Sequence, residues 1–319
     1  MNRSSLRNLT HNAGDRLTPS DPVYKQWIFR YTFLELEKDL GALGDITSDA
    51  SFPGARNGTA IIYARAAGII AGLQEIEYFL VTSSREFRSR AGDLAVTFLC
   101  EDGASLKPGQ KILKIHGEIK DILKVERTVL NLLSRMSGVA TLTREFVNVA
   151  PGVLVTPTRK TLWGLLDKRA CVLGGAGTHR LSLEDAILVK DTHRAAYKGS
   201  LGEMLVKIME QKPAGRFLEV EVEEARDAVI AAETYVEWKR VHKNAPPLCI
   251  MYDNFTPSEL SSAVKVLRKE KHYDDILLEA SGGVTQENIT EYASSGVDII
   301  SIGALTHSSH SMDFGMEME

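Results

Sequence analysis

Polar and glycine residues able to do chemistry stand at the ends of short apolar runs in the second half of this 319-residue chain. Val153-Leu154-Val155 runs into Thr158-Arg159-Lys160, and Ala186 to Val189 delivers Lys190-Asp191 and then His193. Phe217 to Val222 carries Glu219 and Glu221, and Leu248 to Met251 ends at Asp253-Asn254. Ile276 to Leu278 ends at Ser281-Gly282-Gly283, and Ile299 to Ile302 at Gly303-Ala304. With Arg127, His179 and Arg180 the set holds five fixed cations and two histidines. Such a cluster is costly unless an anion fills it. Arg forks suit carboxylates held through two bonds, and Lys acts as a point charge on phosphate or carboxylate. Glu219 and Asp253 either coordinate Mg²⁺, directly or through water or substrate hydroxyls, or stabilise a cationic transition state. Taken singly the signals are weak, since Arg127 alone reads as a surface charge and Arg159-Lys160 as loop solvation. Their shared placement at run ends lifts them.

The elements that must position these residues follow from the same pattern. Short runs of β-formers roughly 25–35 residues apart, with helical material between, read as parallel strands buried on both faces. Chemistry gathered at the C-terminal ends of such strands belongs to a (β/α) barrel, and the glycine-bearing ends leave backbone N–H groups uncovered for a phosphate. The first half reads differently. Residues 22–40 have helical spacing, broken at Gly44-Asp45. Strands are expected around Thr59–Ile70, Val96–Leu99 and Ile112–Ile115, with a helix from Leu73 to Leu80. A strongly periodic helix follows, carrying Ile122, Val125, Val129, Leu132, Leu133 and Met136 on one side, and Ser137-Gly138 is expected to kink or end it. The fold class is therefore α/β: an N-terminal α/β sandwich domain over residues 21–136 and an α/β barrel over 137–305. Residues 1–20 read as a flexible extension without a fold of their own. Residues 306–319 form a C-terminal segment free to return to the first domain.

Composition bounds the rest. The chain is 44% apolar and 25% charged, with a net charge of −4 and a pI near 6.1. No attraction to nucleic acid or to an anionic membrane follows from it. Cys100, Cys171 and Cys249 are odd in number and scattered, which points to reduced thiols in a cytoplasm. The polar N-terminus is not a secretion signal, and the longest apolar stretch, Ala60 to Leu73, is interrupted by Arg65 and too short to span a bilayer.

Read together, the motifs resemble those of quinolinate phosphoribosyltransferases, also called carboxylating nicotinate-nucleotide pyrophosphorylases. Glu126-Arg127-Thr128 through Asn131 to Ser137-Gly138 resembles the family's helix motif, and Thr158-Arg159-Lys160-Thr161 its TRKT segment. Gly174-Gly175 to His179-Arg180 is similar to its glycine-rich stretch ending in HR, and Lys190-Asp191-Thr192-His193 to its KDNH. Glu219 to Glu221, Met251 to Phe255, Leu278 to Gly283 and Ser301 to Ser308 complete the set, in family order over roughly residues 40–310.

The resemblance implies a sandwich domain with an incomplete, seven-stranded barrel, in homodimers or hexamers whose sites are shared between subunits. It implies transfer of phosphoribosyl from phosphoribosyl pyrophosphate to quinolinate with Mg²⁺, giving nicotinate mononucleotide, pyrophosphate and CO₂. Arg127, Arg159, Lys160, His179, Arg180 and Lys190 would then hold the quinolinate carboxylates and the diphosphate. Glu219 and Asp253 would sit by the ribose and Mg²⁺, and Ser281, Gly282, Gly283, Gly303 and His307 would cradle the 5′-phosphate. Three departures stand out: Leu162-Trp163 where the family has Thr-Pro, Thr192 for Asn, and Tyr252 for Leu. Trp163 either narrows the acid pocket or packs outward against a neighbouring helix. Other readings are a paralogue of the type associated with molybdenum transport acting on a different acid, a catalytically idle binding protein, and a barrel lyase using Lys190 as a Schiff-base nucleophile.

Overall fold

The computed structural model describes residues 2–83, 91–211, 214–242 and 244–319. The chain divides into two compact units.

The first unit comprises Gly14–Arg144, Thr161–Gly175 and Ser308–Glu319. Its strands are β1 (Asn57–Ala64), β2 (Gly68–Ile69), β3 (Ala95–Phe98), β4 (Ser105–Leu106) and β5 (Lys111–Glu118). β5 lies between β1 and β3 in an antiparallel sheet, and the C-terminal strand Phe314–Met318 pairs with the free side of β1. β2 and β4 form a separate small pair. Asp21 starts the Pro22–Leu40 helix by accepting the Val23 and Tyr24 N–H groups, with Pro22 in the first turn, where its missing N–H costs nothing.

The apolar stripe of the long helix is fully buried from Ile122 to Met136. That helix does not stop at Ser137-Gly138 but runs from Ile119 to Val149. The pair that reads as a helix end instead makes room for close packing. Ser137 Oγ accepts the Ala71 N–H at 3.0 Å, and a Cβ on Gly138 would lie 1.9 Å from the His310 carbonyl oxygen. Nearby, Met312 N–H donates to Ser134 O at 2.9 Å.

The second unit comprises residues 1–13, Glu145–Lys160 and Ala176–His307. Its strands are β6 (Leu154–Pro157), β7 (Ile187–Val189), β8 (Leu218–Val222), β9 (Leu248–Asp253), β10 (Ile276–Ser281) and β11 (Ile299–Ile302). They form one parallel sheet in the order β6-β11-β10-β9-β8-β7. All six coincide with the apolar runs of the sequence. The barrel is open: among the described residues six strands pair, not seven, and β6 and β7 are its two edges. A non-strand segment takes up part of this opening. Gly177 N–H donates to Val155 O on β6, and Thr178 and His179 N–H both donate to His11 O. Gly177 has no room for a side chain, because its Cβ would meet His11 O at 2.6 Å. These N–H groups satisfy one strand edge and one helix end, so no ladder forms.

The N-terminal residues differ from the expected structureless extension. Arg3–His11 is a helix capped by Asn2, with Thr10 and His11 buried. Leu6 packs on the apolar floor of the barrel made by Ala186, Phe217, Cys249, Leu277 and Ile299. Arg3 forks onto Asp298 and stacks on Tyr273, 3.8 Å from guanidinium carbon to ring centre, while Arg216 donates to Thr10 O at 2.7 Å. A polar local composition hid a helix held by tertiary contacts.

Gly138→Ala tests the close approach at the long helix. Helix propensity favours alanine by about 1 kcal/mol, but a backbone carbonyl cannot yield as a flexible side chain does. Denaturant unfolding should show a net loss of about 2–3 kcal/mol. A gain in stability would mean that the Ser308–Glu319 segment does not press on this helix.

Candidate active site

The parallel register stacks the barrel interior in layers. Glu219 lies opposite Cys249, Glu221 opposite Met251, Met251 opposite Glu279, and Asp253 opposite Ser281. Side chains alternate along a strand, so Glu219 and Glu221 face the same way, about 6.6 Å apart along β8. The one nearer the C-terminal end faces the mouth.

At the mouth, Lys190 follows β7 and starts the Asp191–Ala196 helix, and its Nζ lies 3.1 Å from Glu221 Oε2. The Lys190 side chain is 43% exposed, so the ammonium is open to a ligand. Asp253 ends β9. Burial, then the charge of Glu221, push its carboxyl above the ordinary value, while Lys190 and Lys160 pull it back. Arg180 donates to Ala186 O at 3.2 Å, and burial followed by the charge of Arg159 disfavours its own charge. Lys160, Lys190, Glu221 and Asp253 thus form one charged group, and Arg159 with Arg180 a second. Lys160 is held by its backbone, whose carbonyl accepts from Thr306 Oγ1 at 2.8 Å.

Ser281, Gly282 and Gly283 form the next part of the mouth. Gly282 and Gly283 have φ of 87° and 64°, a left-handed backbone that glycine adopts without strain. A Cβ on Gly282 would meet Asn254 Oδ1 at 2.2 Å, while Asn254 N–H donates to Ser281 O at 2.8 Å. Gly303 closes β11, and His307 Nε2 would lie 2.9 Å from a Cβ there. The β10 and β11 ends thus bring bare glycine backbone close to Asn254 and to the His307 imidazole.

Glu219 and His179 lie deeper. Glu219 and Glu279 are fully buried, and His179 Nε2 sits 3.3 Å from Glu219 Oε2 and 3.4 Å from Glu279 Oε1. His179 has φ of 53°, and its Nδ1 accepts the Arg180 N–H at 2.7 Å. Burial disfavours a charge on this ring and the two carboxylates favour one. The carboxylates outweigh burial and raise the ring to about 9, and with Nδ1 taken by the Arg180 N–H it is Nε2 that is turned to them. Burial and then Glu279 push Glu219 up to about 7.

Arg127 belongs to the other unit, on the long helix, with a 63% exposed side chain 3.6 Å from Glu126 Oε1. Trp163 is there too, with its ring 4.1 Å from that of Tyr31. Of the two expectations for Trp163, packing on a neighbouring helix is the one observed. Tyr252 is fully buried and edge-on to Phe255. Two residues outside the expected set join the interior. Glu221 could have been singled out from its position nearer the strand end, whereas His11 carries no local signal.

Two family models match the chain: "Quinolinate phosphoribosyl transferase, N-terminal domain" over residues 45–137 and the C-terminal domain of the same name over residues 139–317. A carboxylating nicotinate-nucleotide pyrophosphorylase of Mycobacterium leprae is 36% identical over 289 residues, covering 89% of this chain and 94% of the relative. A probable enzyme of the same name from Methanothermobacter thermautotrophicus is 34% identical over 280 residues, covering 86% and 93%. The solved nicotinate-nucleotide pyrophosphorylase of Francisella tularensis superposes with a TM-score of 0.78 at 26% identity, covering 92% of this chain and 96% of that one.

Glu221→Gln tests the mouth electrostatics. Removing the neighbouring negative charge should lower the Asp253 pKa, read by carboxyl-carbon NMR titration. A titration that stays in place would separate the two carboxylates.

Proposed function

The chain belongs to the quinolinate phosphoribosyltransferase family, and from that premise we propose that it makes nicotinate mononucleotide for NAD synthesis. It transfers the phosphoribosyl group of phosphoribosyl pyrophosphate to the ring nitrogen of quinolinate. Pyrophosphate leaves from the ribose carbon, and the carboxylate beside the ring nitrogen leaves as CO₂, the electron pair left on that carbon taking a proton from water. The observation that carries this reading is the pairing of Lys160 and Lys190 with the carboxylates of Glu221 and Asp253 at the strand ends, with the pair Arg159 and Arg180 on the same unit.

Two carboxylates on one substrate and a diphosphate on the other supply the negative charge that these cations lack among themselves. Arg159, Lys160 and Arg180 take the acid, and His179 orients Arg180 through the backbone bond to Nδ1. Lys190 exchanges Glu221 for substrate anion. The N–H groups of Gly282, Gly283 and Gly303, with Ser281 and His307, take the 5′-phosphate. Departure of pyrophosphate leaves positive charge on the ribose, which Glu221 and Asp253 stabilise without forming a bond. Glu219 supports this layer from below. Catalysis rests on positioning and charge rather than on a protein nucleophile.

The hard oxygen donors of Glu221 and Asp253, whose proximity already raises the Asp253 carboxyl, fit Mg²⁺. When bound with the diphosphate, Mg²⁺ would supply charge neutralisation for the leaving group. Among the described residues no helix is long and apolar enough to cross a membrane, and free Cys100, Cys171 and Cys249 suit a cytoplasmic setting.

The direct test is incubation with quinolinate, phosphoribosyl pyrophosphate and Mg²⁺. Nicotinate mononucleotide is the expected product, and its absence with folded protein would remove the reading. Arg159→Ala should weaken quinolinate binding roughly tenfold to a hundredfold, ~1.4–2.8 kcal/mol, with a smaller effect on phosphoribosyl pyrophosphate. Glu221→Gln and Asp253→Asn should instead lower kcat with quinolinate affinity nearly intact, because ribose charge appears only in the transition state. Equal losses for both substrates in calorimetry would contradict the assignment.

Arg127, exposed on the long helix, is the family-motif cation for which we propose a place in the site of a partner subunit. Inactive Arg127→Ala and Lys190→Ala chains, mixed and allowed to exchange, should then regain about a quarter of wild-type activity. Random pairing puts about half of the subunits in mixed dimers, each with one intact site. No recovery despite demonstrated exchange would put Arg127 in its own subunit's site or outside the chemistry.

A further inference from the structure

We propose that the barrel floor holds a structural transition-metal ion, Zn²⁺ by its donor set, ligated by His11, Glu219, Cys249 and Glu279. The four side chains are buried, and their donor atoms all lie within 4.8 Å of one another. His11 lies outside the segments matched by the two family models, 45–137 and 139–317. The site is thus assembled by this chain's own N-terminal helix.

The hydrogen-bond directions call for a positive centre. Thr10 Oγ1 donates to carbonyl oxygens of its own helix, Leu6 O at 3.0 Å and Arg7 O at 3.1 Å. The same oxygen lies 2.8 Å from His11 Nδ1 and, with its proton given to the helix, accepts from it. With the proton on Nδ1, Nε2 keeps a bare lone pair, in the manner of a metal-binding histidine oriented by an outer partner. The Nε2 lone pair faces Glu279 Oε2 at 3.2 Å. Two electron-rich atoms do not stay that close without a cation or a proton. His11 Nε2 and all four oxygens of Glu219 and Glu279 are buried with no hydrogen-bond partner among the described residues.

The geometry favours the cation. Bonds of about 2.0–2.1 Å to nitrogen and oxygen put neighbouring donors of a tetrahedron about 3.3 Å apart. The His11–Glu279 separation of 3.2 Å has that length, and neither atom has a well-aligned hydrogen bond among the described residues. The carboxylates also divide their oxygens: Glu219 Oε2 and Glu279 Oε1 face His179 Nε2, so Glu219 Oε1 and Glu279 Oε2 remain for the ion. Cys249 completes a mixed nitrogen, sulfur and oxygen set, which suits Zn²⁺ over Mg²⁺. Loading draws the widest-spaced donors inward by roughly 1 Å. It displaces the Cys249 thiol proton and any proton held between the carboxylates to solvent, so affinity falls as pH falls. Four protein ligands leave no open position, which makes the ion structural.

The full chain, purified, incubated with Zn²⁺ and freed of excess by gel filtration, should carry about one ion per chain by elemental analysis. Its thermal midpoint should rise with Zn²⁺ concentration. Co²⁺ in place of Zn²⁺ should give tetrahedral d–d bands and a thiolate-to-cobalt charge-transfer band. Cys249→Ser should abolish the charge-transfer band, and His11→Ala should lower Zn²⁺ stoichiometry at least about tenfold. If His11→Ala does not fold, as judged by circular dichroism, Cys249→Ser with Co²⁺ decides. A folded wild-type chain without bound Zn²⁺, or a Co²⁺ spectrum unchanged by Cys249→Ser, would overturn the proposal in favour of a shared-proton network. Metal content and spectra are read without any assay of nucleotide synthesis, so this result stands apart from that of the enzyme reading.

Discussion

Glu219 on β8 and Glu279 on β10 approach the same imidazole from strands separated by β9, and neither carboxylate reaches water. Two like charges at this depth are costly, and much of the second unit is arranged around them. His179 enters from the segment at the open side of the sheet and sets its Nε2 within 3.4 Å of both. It reaches them from a left-handed backbone that lets Nδ1 accept the next residue's N–H. His11 enters from the N-terminal helix, and its main-chain carbonyl holds the Thr178 and His179 N–H groups in turn. The same short helix thus helps position the histidine and adds a second imidazole to the carboxylates.

A consequence is that the interior has two carboxylate layers with different work. Glu219 and Glu279 are dry and set against two imidazoles, which suits them to hold strand register. A slip of one residue would carry these carboxylates to the helix-facing side of the sheet. Glu221 and Asp253 lie one layer up, part-exposed and beside lysines, where charge can be exchanged for substrate. The Glu-Val-Glu spacing on β8 thereby joins floor to mouth through a single stiff strand.

The parallel strands were legible in the sequence because burial on both faces demands continuous apolar runs, and each run carried its polar terminus to the same edge. The long helix was legible for its stripe from Ile122 to Met136, though not for its length. Ser137 and Gly138 are local breakers, but here their value is tertiary: a hydroxyl that bonds the Ala71 backbone and a bare Cα beside the His310 carbonyl. The helix Arg3–His11 was not legible, since Leu6, His11 and Arg3 gain partners only from residues far along the chain. The carboxylate opposite Lys190 was within reach, because alternation along β8 puts Glu221 nearer the mouth than Glu219.

The departures from the family pattern follow the same division between side chain and backbone. Leu162 and Trp163 both give their main-chain N–H groups to Asp167 Oδ2, at 2.8 and 2.9 Å. Asp167 is held in turn by Arg135 through two bonds, at 2.9 and 3.0 Å. The turn after Thr161 is thus fixed by backbone donors on a buried, paired carboxylate, and proline at position 163 would remove one of those donors. The side chains are then free to serve packing. Leu162 is 65% exposed, and Trp163 lies on Tyr31. What the chain changes at 162–163 is therefore how its first unit packs, and the cation set on the barrel strands is left in place.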